Sequence, residues 1–203
     1  REQQEQTWHN AEVDALRKLA AAGVRVPEPY TCVDGVLIME LVTDHEGLVA
    51  PRLSEVSMSA EEAIQGHAAV MRFVVQMLCA GLVHGDLSEF NILVDEQGPV
   101  IIDLPQAVDA AANNNAEAML ERDVNKISSY YGQFAPELLQ RGYAKEIWKL
   151  YEEGDLQPES ELTGLFAENT QAADVDDTLR IIESAIEEEK DRQERKVEAE
   201  NQP

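Results

Sequence analysis

The feature that most constrains this chain is a polar cluster enclosed by apolar residues. Residues 84–91 read HGDLSEFN, with GLV directly before them and ILV directly after. The turn sequence DEQGP and a second apolar run, VIIDL, follow over residues 95–104. The two apolar runs predict the strands of a tight hairpin, and the open ends of such a hairpin lie close together. We therefore expect Asn91 and Asp103 to face one site.

The side chains of this cluster favour a hard cation bound together with phosphate. The oxygens of Asn91 and Asp103 suit Mg²⁺, which takes few protein ligands and fills its remaining positions with phosphate and water. Asp86, upstream in the same loop, is placed to accept a proton from an attacking hydroxyl. The alternative is that Asp86 and Asn91 only cap turns, but capping does not explain why Asp103 ends an apolar run. For His84 we favour a structural role that orients the loop.

Helical periodicity surrounds the cluster. A first helix is predicted to end near Gly23, and a long core helix is predicted to begin at the capping box of Ser59 and Glu62. Apolar residues at helical spacing mark these and three later helices: Ala15, Leu16 and Leu19; Ile64, Ala68, Met71, Val75 and Leu78; Leu120, Val124, Ile127 and Tyr131; Ile147, Leu150 and Tyr151; Val175, Leu179, Ile182 and Ile186.

Between the first two helices, PYTCVDGVLIMELV predicts a second hairpin. Asp34 and Gly35 form a typical two-residue turn between its strands. Its second half, VLIMELV, is apolar enough to predict burial on both faces. Residues 43–57 read as an irregular connection, and the end of the chain beyond Ile186 reads as a solvated helix end or a disordered tail.

Composition excludes several classes of protein. The net charge is −24, from 40 acidic and 16 basic residues, so we expect no direct nucleic-acid partner. The two cysteines, Cys32 and Cys79, lie far apart without metal spacing, which fits a reducing cytoplasm and predicts neither a disulfide framework nor a zinc site. No apolar run is long enough to span a membrane.

Taken together, these motifs resemble the RIO family of atypical serine/threonine protein kinases, with the bacterial members most similar. HGDLSEFNIL resembles the catalytic loop of that family, and IIDLPQAVD resembles its metal-binding loop. Further similarities are WHNAEVDALRKL followed by VPEP, VLIMELV leading to APRL, and LERDVNKI. The resemblance runs from residue 1 to about residue 166.

The resemblance implies a role for each matching position. Asp86 is the expected catalytic residue, Asn91 and Asp103 are the expected Mg²⁺ ligands, and ATP is the expected phosphoryl donor. It also implies that Asp103 can be phosphorylated, as in an ATPase-like switch. Ser88 stands where conventional serine/threonine kinases carry a lysine, which leaves more of the phosphate charge to magnesium.

The resemblance also implies a nucleotide pocket. Glu12 is the expected partner of a phosphate-binding lysine, with an ordinary exposed helix acid as the alternative. Met39–Val42 is the expected hinge, with the backbone of Glu40 and Val42 bound to adenine. Leu93 and Ile102 are expected to pack on the base, although plain core packing explains them nearly as well.

Two parts of a kinase are missing before Glu12. The chain has no glycine-rich loop there and no lysine, since Lys18 is its first lysine. The loss of such phosphate contacts costs roughly 3 kcal/mol of transition-state stabilisation for each donor. We therefore expect this chain to be inactive or very weak, and to be a fragment of a kinase rather than a degenerate homologue.

The predicted fold class is α+β, a protein-kinase-like fold with a mostly helical C-lobe and a partial N-lobe of one helix and a β-hairpin. The expected divisions are a partial N-lobe at 1–42, a C-lobe with the catalytic and metal loops at 43–166, and an acidic helix or tail at 167–203.

The expected function is ATP-dependent phosphoryl transfer to serine or threonine of a protein substrate, with autophosphorylation or ATP hydrolysis as related activities, and the expected location of the chain is the cytoplasm. Ribosome association is expected only by family analogy. The first alternative is a small-molecule phosphotransferase of the aminoglycoside-kinase type, although SEF and DLPQ differ from the usual sequences of that class. The second is a non-catalytic pseudokinase scaffold.

Overall fold

The computed structural model describes residues 2–33 and 36–166. Within these ranges the chain forms four α-helices and six short strands, which pair as three separate antiparallel sheets. The helices are α1 (Glu2–Ala21), α2 (Ala60–Cys79), α3 (Ala116–Tyr131) and α4 (Tyr143–Glu153). The strands are β1 (Pro29–Val33), β2 (Val36–Met39), β3 (Leu82–Val83), β4 (Ile92–Asp95), β5 (Gly98–Ile101) and β6 (Val108–Asp109). This mixture confirms the predicted α+β class.

Helix α1 and the β1–β2 hairpin form where the sequence predicts them. Ala15, Leu16 and Leu19 of α1 are buried in the core. The predicted burial of VLIMELV is wrong for β2, where Val36 and Ile38 are 63% and 45% exposed, but it is confirmed for Val42, which is 6% exposed. The reason is that β2 pairs only with β1, so that among the described residues α1 is the main element that covers the hairpin. The predicted turn, Asp34 and Gly35, lies outside the described residues.

Helix α2 runs through the centre of the core. Its first turn has the predicted capping box, in which the Ser59 hydroxyl accepts from the Glu62 N–H and the Glu62 carboxylate accepts from the Ser59 N–H. Such a cap contributes about 1 kcal/mol. The predicted apolar face is wrong at Ile64 and Ala68, which are exposed, because the helix presents Ala63 and His67 to the core instead.

Helices α3 and α4 pack together beside α2. Both form where the sequence predicts, with Leu120, Val124, Ile127 and Ile147 buried. Two 3-10 turns, Leu53–Glu55 and Pro136–Gln140, support this group. The predicted last helix and the tail, residues 167–203, lie outside the described residues.

The β4–β5 hairpin packs on this helical base. Its register pairs Ile92 with Ile101, and both of these side chains are fully buried. The second strand begins earlier than VIIDL predicts and ends at Ile101, before Asp103. A bidentate ion pair fixes the hairpin, since Arg25 donates to both carboxylate oxygens of Asp95 at 2.9 and 2.6 Å.

Candidate active site

His84 joins the polar loop to the chain beyond the hairpin. Its Nε2 lies 3.1 Å from the carbonyl oxygen of Ile102, while its Nδ1 accepts from the N–H of Asp86 at 3.3 Å. Because a carbonyl oxygen can only accept, Nε2 carries the proton. Burial lowers the pKa of His84, against smaller opposing effects of the hydrogen bond to Ile102 and of Asp123, Asp103 and Asp86, so the ring is neutral at pH 7. These contacts confirm the structural role predicted for His84.

The hairpin brings Asn91 and Asp103 to the same end. The pairing of Ile92 with Ile101 places Asn91 opposite Ile102, and the Ile102 N–H donates to the Asn91 carbonyl at 3.0 Å. Asp103 follows with a φ of 66°, a left-handed conformation that Asp and Asn adopt more readily than most residues. That turn ends the extended run directly beside Asn91. The predicted convergence of the two loops is therefore present in the backbone.

The donor atoms at this end fit a small cation. Asn91 Nδ2 donates to the backbone oxygen of Asp86 at 2.9 Å, which leaves Asn91 Oδ1 as an acceptor. Asp103 is exposed, and its carboxylate has no hydrogen-bond or salt-bridge partner among the described residues. One amide and one carboxylate oxygen suit Mg²⁺, which keeps water and phosphate ligands. In the same ranges no group of three or more His, Cys, Asp or Glu residues could hold a metal.

Asp86 is exposed beside this pair and faces a cation. Lys126 Nζ, from α3, donates to Asp86 Oδ1 at 2.9 Å. The hydrogen bond from Lys126 lowers the pKa of Asp86; burial opposes this, and Arg122 and His84 add weaker lowering effects. Asp86 is therefore a carboxylate at neutral pH, the form that can accept a proton.

The loop of Asp86 is also contacted by three residues of α3. The sequence motifs predicted no role for these residues. Asp123 is 2% exposed and accepts from the Gly85 N–H at 2.8 Å, while Arg122 donates to the Gly85 carbonyl. Burial raises the pKa of Asp123, although the Gly85 hydrogen bond opposes this. A signal was present in the sequence, because an aspartate lies on the apolar stripe of Leu120, Val124 and Ile127. Such a buried acid requires a partner. No comparable feature of the sequence indicated a role for Lys126.

Two of the expected adenine-binding residues, Val42 and Leu93, lie together in a cluster that is separate from the main core. Val42, Ala50 and Val100 form a small apolar cluster, with Leu93 packed against it. The Glu40 N–H donates to the Glu28 carbonyl, and the Val42 carbonyl accepts from the Ala50 N–H. The Glu40 carbonyl and the Val42 N–H have no hydrogen-bond partner among the described residues, so both remain available to a ligand.

The other predicted site residues lie outside this apolar cluster. Met39 is 36% exposed at the end of β2, and Ile102 and Glu12 are partly buried. Ser88 is buried, with only 9% exposure. A cavity of about 610 Å³ lies between α2, α4 and residues 158–162 and includes none of the predicted site residues.

Comparison with known protein families identifies the family of this chain. A family model described as the RIO domain matches residues 1–143, which is most of the chain and includes both loops. The chain belongs to the RIO family. This membership does not support the alternative of an aminoglycoside-kinase-like phosphotransferase.

Several RIO kinases are similar to this chain over part of their length. The RIO-type serine/threonine-protein kinase Rio1 of Haloferax volcanii is 39% identical over 127 residues, 61% of this chain and 41% of the relative. The RIO-type serine/threonine-protein kinase Rio2 of Methanocaldococcus jannaschii is 41% identical over 112 residues, 55% of this chain and 40% of the relative. The serine/threonine-protein kinase rio1 of Schizosaccharomyces pombe is 30% identical over 162 residues, 79% of this chain and 32% of the relative. The chain thus spans about two fifths or less of these RIO proteins. No helix in its described ranges has the length and apolar character needed to cross a membrane.

Proposed function

We propose that this chain carries the catalytic and metal-binding loops of a RIO-type serine/threonine protein kinase. The observation that carries the proposal is the hydrogen bond from the Ile102 N–H to the Asn91 carbonyl at 3.0 Å. It joins the two loops, so that the expected metal ligands Asn91 and Asp103 lie at one end of the hairpin. Asp86 belongs to the same loop as Asn91, and Asn91 Nδ2 donates to its backbone oxygen.

The proposed reaction transfers the γ-phosphoryl group of ATP to a serine or threonine hydroxyl of a protein. The hydroxyl oxygen forms a bond to the γ-phosphorus while the Asp86 carboxylate accepts the hydroxyl proton. The bond between that phosphorus and the β–γ bridging oxygen breaks, and ADP leaves with the electron pair. Mg²⁺, held by Asn91 and Asp103, would neutralise charge on the phosphate oxygens.

His84 and Asp123 keep this arrangement in place. The neutral ring of His84 connects Asp86 to Ile102, and Asp123 accepts from the N–H of Gly85. Because these contacts hold the N–H groups of Gly85 and Asp86, the backbone that carries the carboxylate starts from a fixed position. A positioned base needs less reorganisation during the reaction.

For the nucleotide we propose binding across the hinge. The free Glu40 carbonyl and Val42 N–H can accept from and donate to one edge of adenine. Leu93 and Ile102 would contact the ring, with Met39 at the entrance of the pocket. Glu12 would orient a phosphate-binding lysine.

The proposed arrangement of the fold is a partial upper lobe over residues 1–42 and a helical lower lobe over residues 43–166. The proposed substrate is a protein with a serine or threonine acceptor. Ribosome association, cytoplasmic location and phosphorylation of Asp103 stay predictions. A non-catalytic scaffold is the competing function, and the experiment below separates the two.

Paramagnetic broadening with Mn²⁺ and ATP tests the metal site, because it detects weak binding. In the ¹⁵N-labelled chain, we expect Mn²⁺ with ATP to broaden the amide signals of Asn91 and Asp103 first. Asp103→Asn removes the charge but retains a residue that tolerates the left-handed conformation, so the fold should persist while the broadening is lost. Asp14→Asn, which removes an exposed carboxylate of α1, is the matched control.

Transfer is then measured with γ-labelled ATP and a serine-containing protein such as casein. We expect slow transfer that disappears in Asp86→Asn. Broadening that is unchanged by Asp103→Asn would refute the metal site. Broadening without any transfer that depends on Asp86 would instead favour the scaffold.

A further inference from the structure

Lys126 lies beside Asp86, the carboxylate that would accept the proton of the substrate hydroxyl. Its Nζ is 2.9 Å from Asp86 Oδ1, and the two side chains are 39% and 53% exposed. The pair therefore lies at the surface, where a ligand can reach it. The acceptor hydroxyl of the proposed reaction must come within about 3 Å of the same carboxylate, and the phosphorus lies directly beyond that hydroxyl.

We propose that Lys126 binds the γ-phosphate of ATP, as a cation that α3 supplies to the catalytic loop. This inference rests on the proposed function and adds a phosphate ligand to it. The loop itself offers no such charge, because Ser88, two residues after Asp86, is neutral and buried. Lys126 makes no covalent bond and keeps its proton throughout the transfer.

The chemistry of lysine fits this role. An ammonium group has three N–H donors, so Lys126 can keep its contact with Asp86 and still donate to a phosphate oxygen. Its flexible four-carbon stem allows Nζ to move between the two acceptors. Asp86 holds this cation before ATP arrives, and the acidic chain, with a net charge of −24, offers few other cations.

Arg122, the other cation of this region, has a different function. Its guanidinium donates to the Gly85 carbonyl and lies 3.7 Å from the buried carboxylate of Asp123. These contacts hold the Arg122 side chain against the loop backbone. Arg122 therefore supports the loop, while Lys126 remains able to turn towards a ligand.

The test compares the affinities of the 203-residue chain for Mg·ATP and Mg·ADP, measured by NMR titration. ADP has no γ-phosphate, so Lys126→Met should weaken ATP binding about fivefold, as expected for one charge-assisted contact, and change ADP binding less than about twofold. Lys126→Arg should restore most of the ATP affinity, since guanidinium also binds phosphate. Lys149→Met, which removes an exposed lysine of α4, is the control and should change neither affinity.

The outcomes separate this inference from the proposed function. An equal effect of Lys126→Met on ATP and ADP, or no effect on either, would overturn the role of Lys126 while Asp103→Asn still abolished Mg²⁺-dependent binding. A wild-type chain that bound neither nucleotide would overturn both proposals. An unfolding midpoint in urea that is equal for Lys126→Met and Lys149→Met would exclude a folding defect as the cause of weaker ATP binding.

Discussion

Acidification should destabilise this protein through His67, a histidine of the core rather than of the active site. The ring of His67 is 2% exposed, its Nε2 lies 3.0 Å from Ser128 Oγ, and its centroid lies 4.9 Å from that of Tyr143. Burial lowers the pKa of His67 from 6.5 to about 4. The folded state therefore holds this ring neutral at pH values where the unfolded chain has already bound a proton.

The size of the effect follows from that difference in pKa. A shift of one pKa unit corresponds to about 1.4 kcal/mol, so moving from 6.5 to about 4 corresponds to about 3 kcal/mol in full. The unfolded state binds the extra proton below pH 6.5, so stability is present above that value and is lost as the pH falls towards 4. Between pH 7 and pH 5 the expected loss is about 2 kcal/mol.

Urea unfolding followed by circular dichroism at pH 7 and pH 5 measures this loss. His67→Gln serves as the comparison, because its amide can still bond Ser128 but cannot titrate in this range. His84 and the carboxylates titrate in both proteins, so only the difference between the two pH dependences reports on His67. We expect the wild type to lose about 2 kcal/mol more than His67→Gln, since the His67 ring gains a proton on unfolding and a glutamine amide does not. Equal losses in the two proteins would refute the assignment.

Two further predictions concern the loop that carries Asp86 and the β4–β5 hairpin. A Cβ at Gly85, where φ is +83°, would lie 2.5 Å from the Gln106 carbonyl, so Gly85→Ala should lower the free energy of unfolding by about 3 kcal/mol and abolish nucleotide binding in NMR titration. Gly81→Ala, where φ is +76° but space is open, should cost only about 1 kcal/mol, and equal costs would argue against the close contact. Arg25→Met should lower the free energy of unfolding in urea by about 2 kcal/mol, because it leaves the largely buried Asp95 carboxylate unpaired. A double-mutant cycle with Asp95→Asn that gave no coupling energy would contradict that expectation.

Local signals in the sequence were sufficient for most of the secondary structure. The capping box at Ser59 and the helical spacing of apolar residues predicted α2, α3 and α4, because both signals act within a few residues. Local sequence also predicted that Asn91 and Asp103 lie close together. Only Glu96 and Gln97 separate β4 from β5, so the backbone convergence of the two loops followed from the local sequence.

Burial was harder to predict from the sequence. VLIMELV has the composition of a buried strand, yet Val36 is exposed because its sheet has only two strands in the described ranges. Ile64 and Ala68 have helical spacing, but the core lies on the face of Ala63 and His67. Composition states which residues can be buried, whereas the neighbouring elements decide which of them are covered.

The sequence alone determined the family, the α+β class and the order of the two loops, because these depend on residue types at short spacing. Only the tertiary structure brought α3 to the catalytic loop. Asp123 lies 38 residues from Gly85 and Lys126 lies 40 residues from Asp86, and only packing places them within hydrogen-bond distance. The charges that surround Asp86 are thus a property of the folded chain, since electrostatic interactions depend on distance in space and not on separation along the sequence.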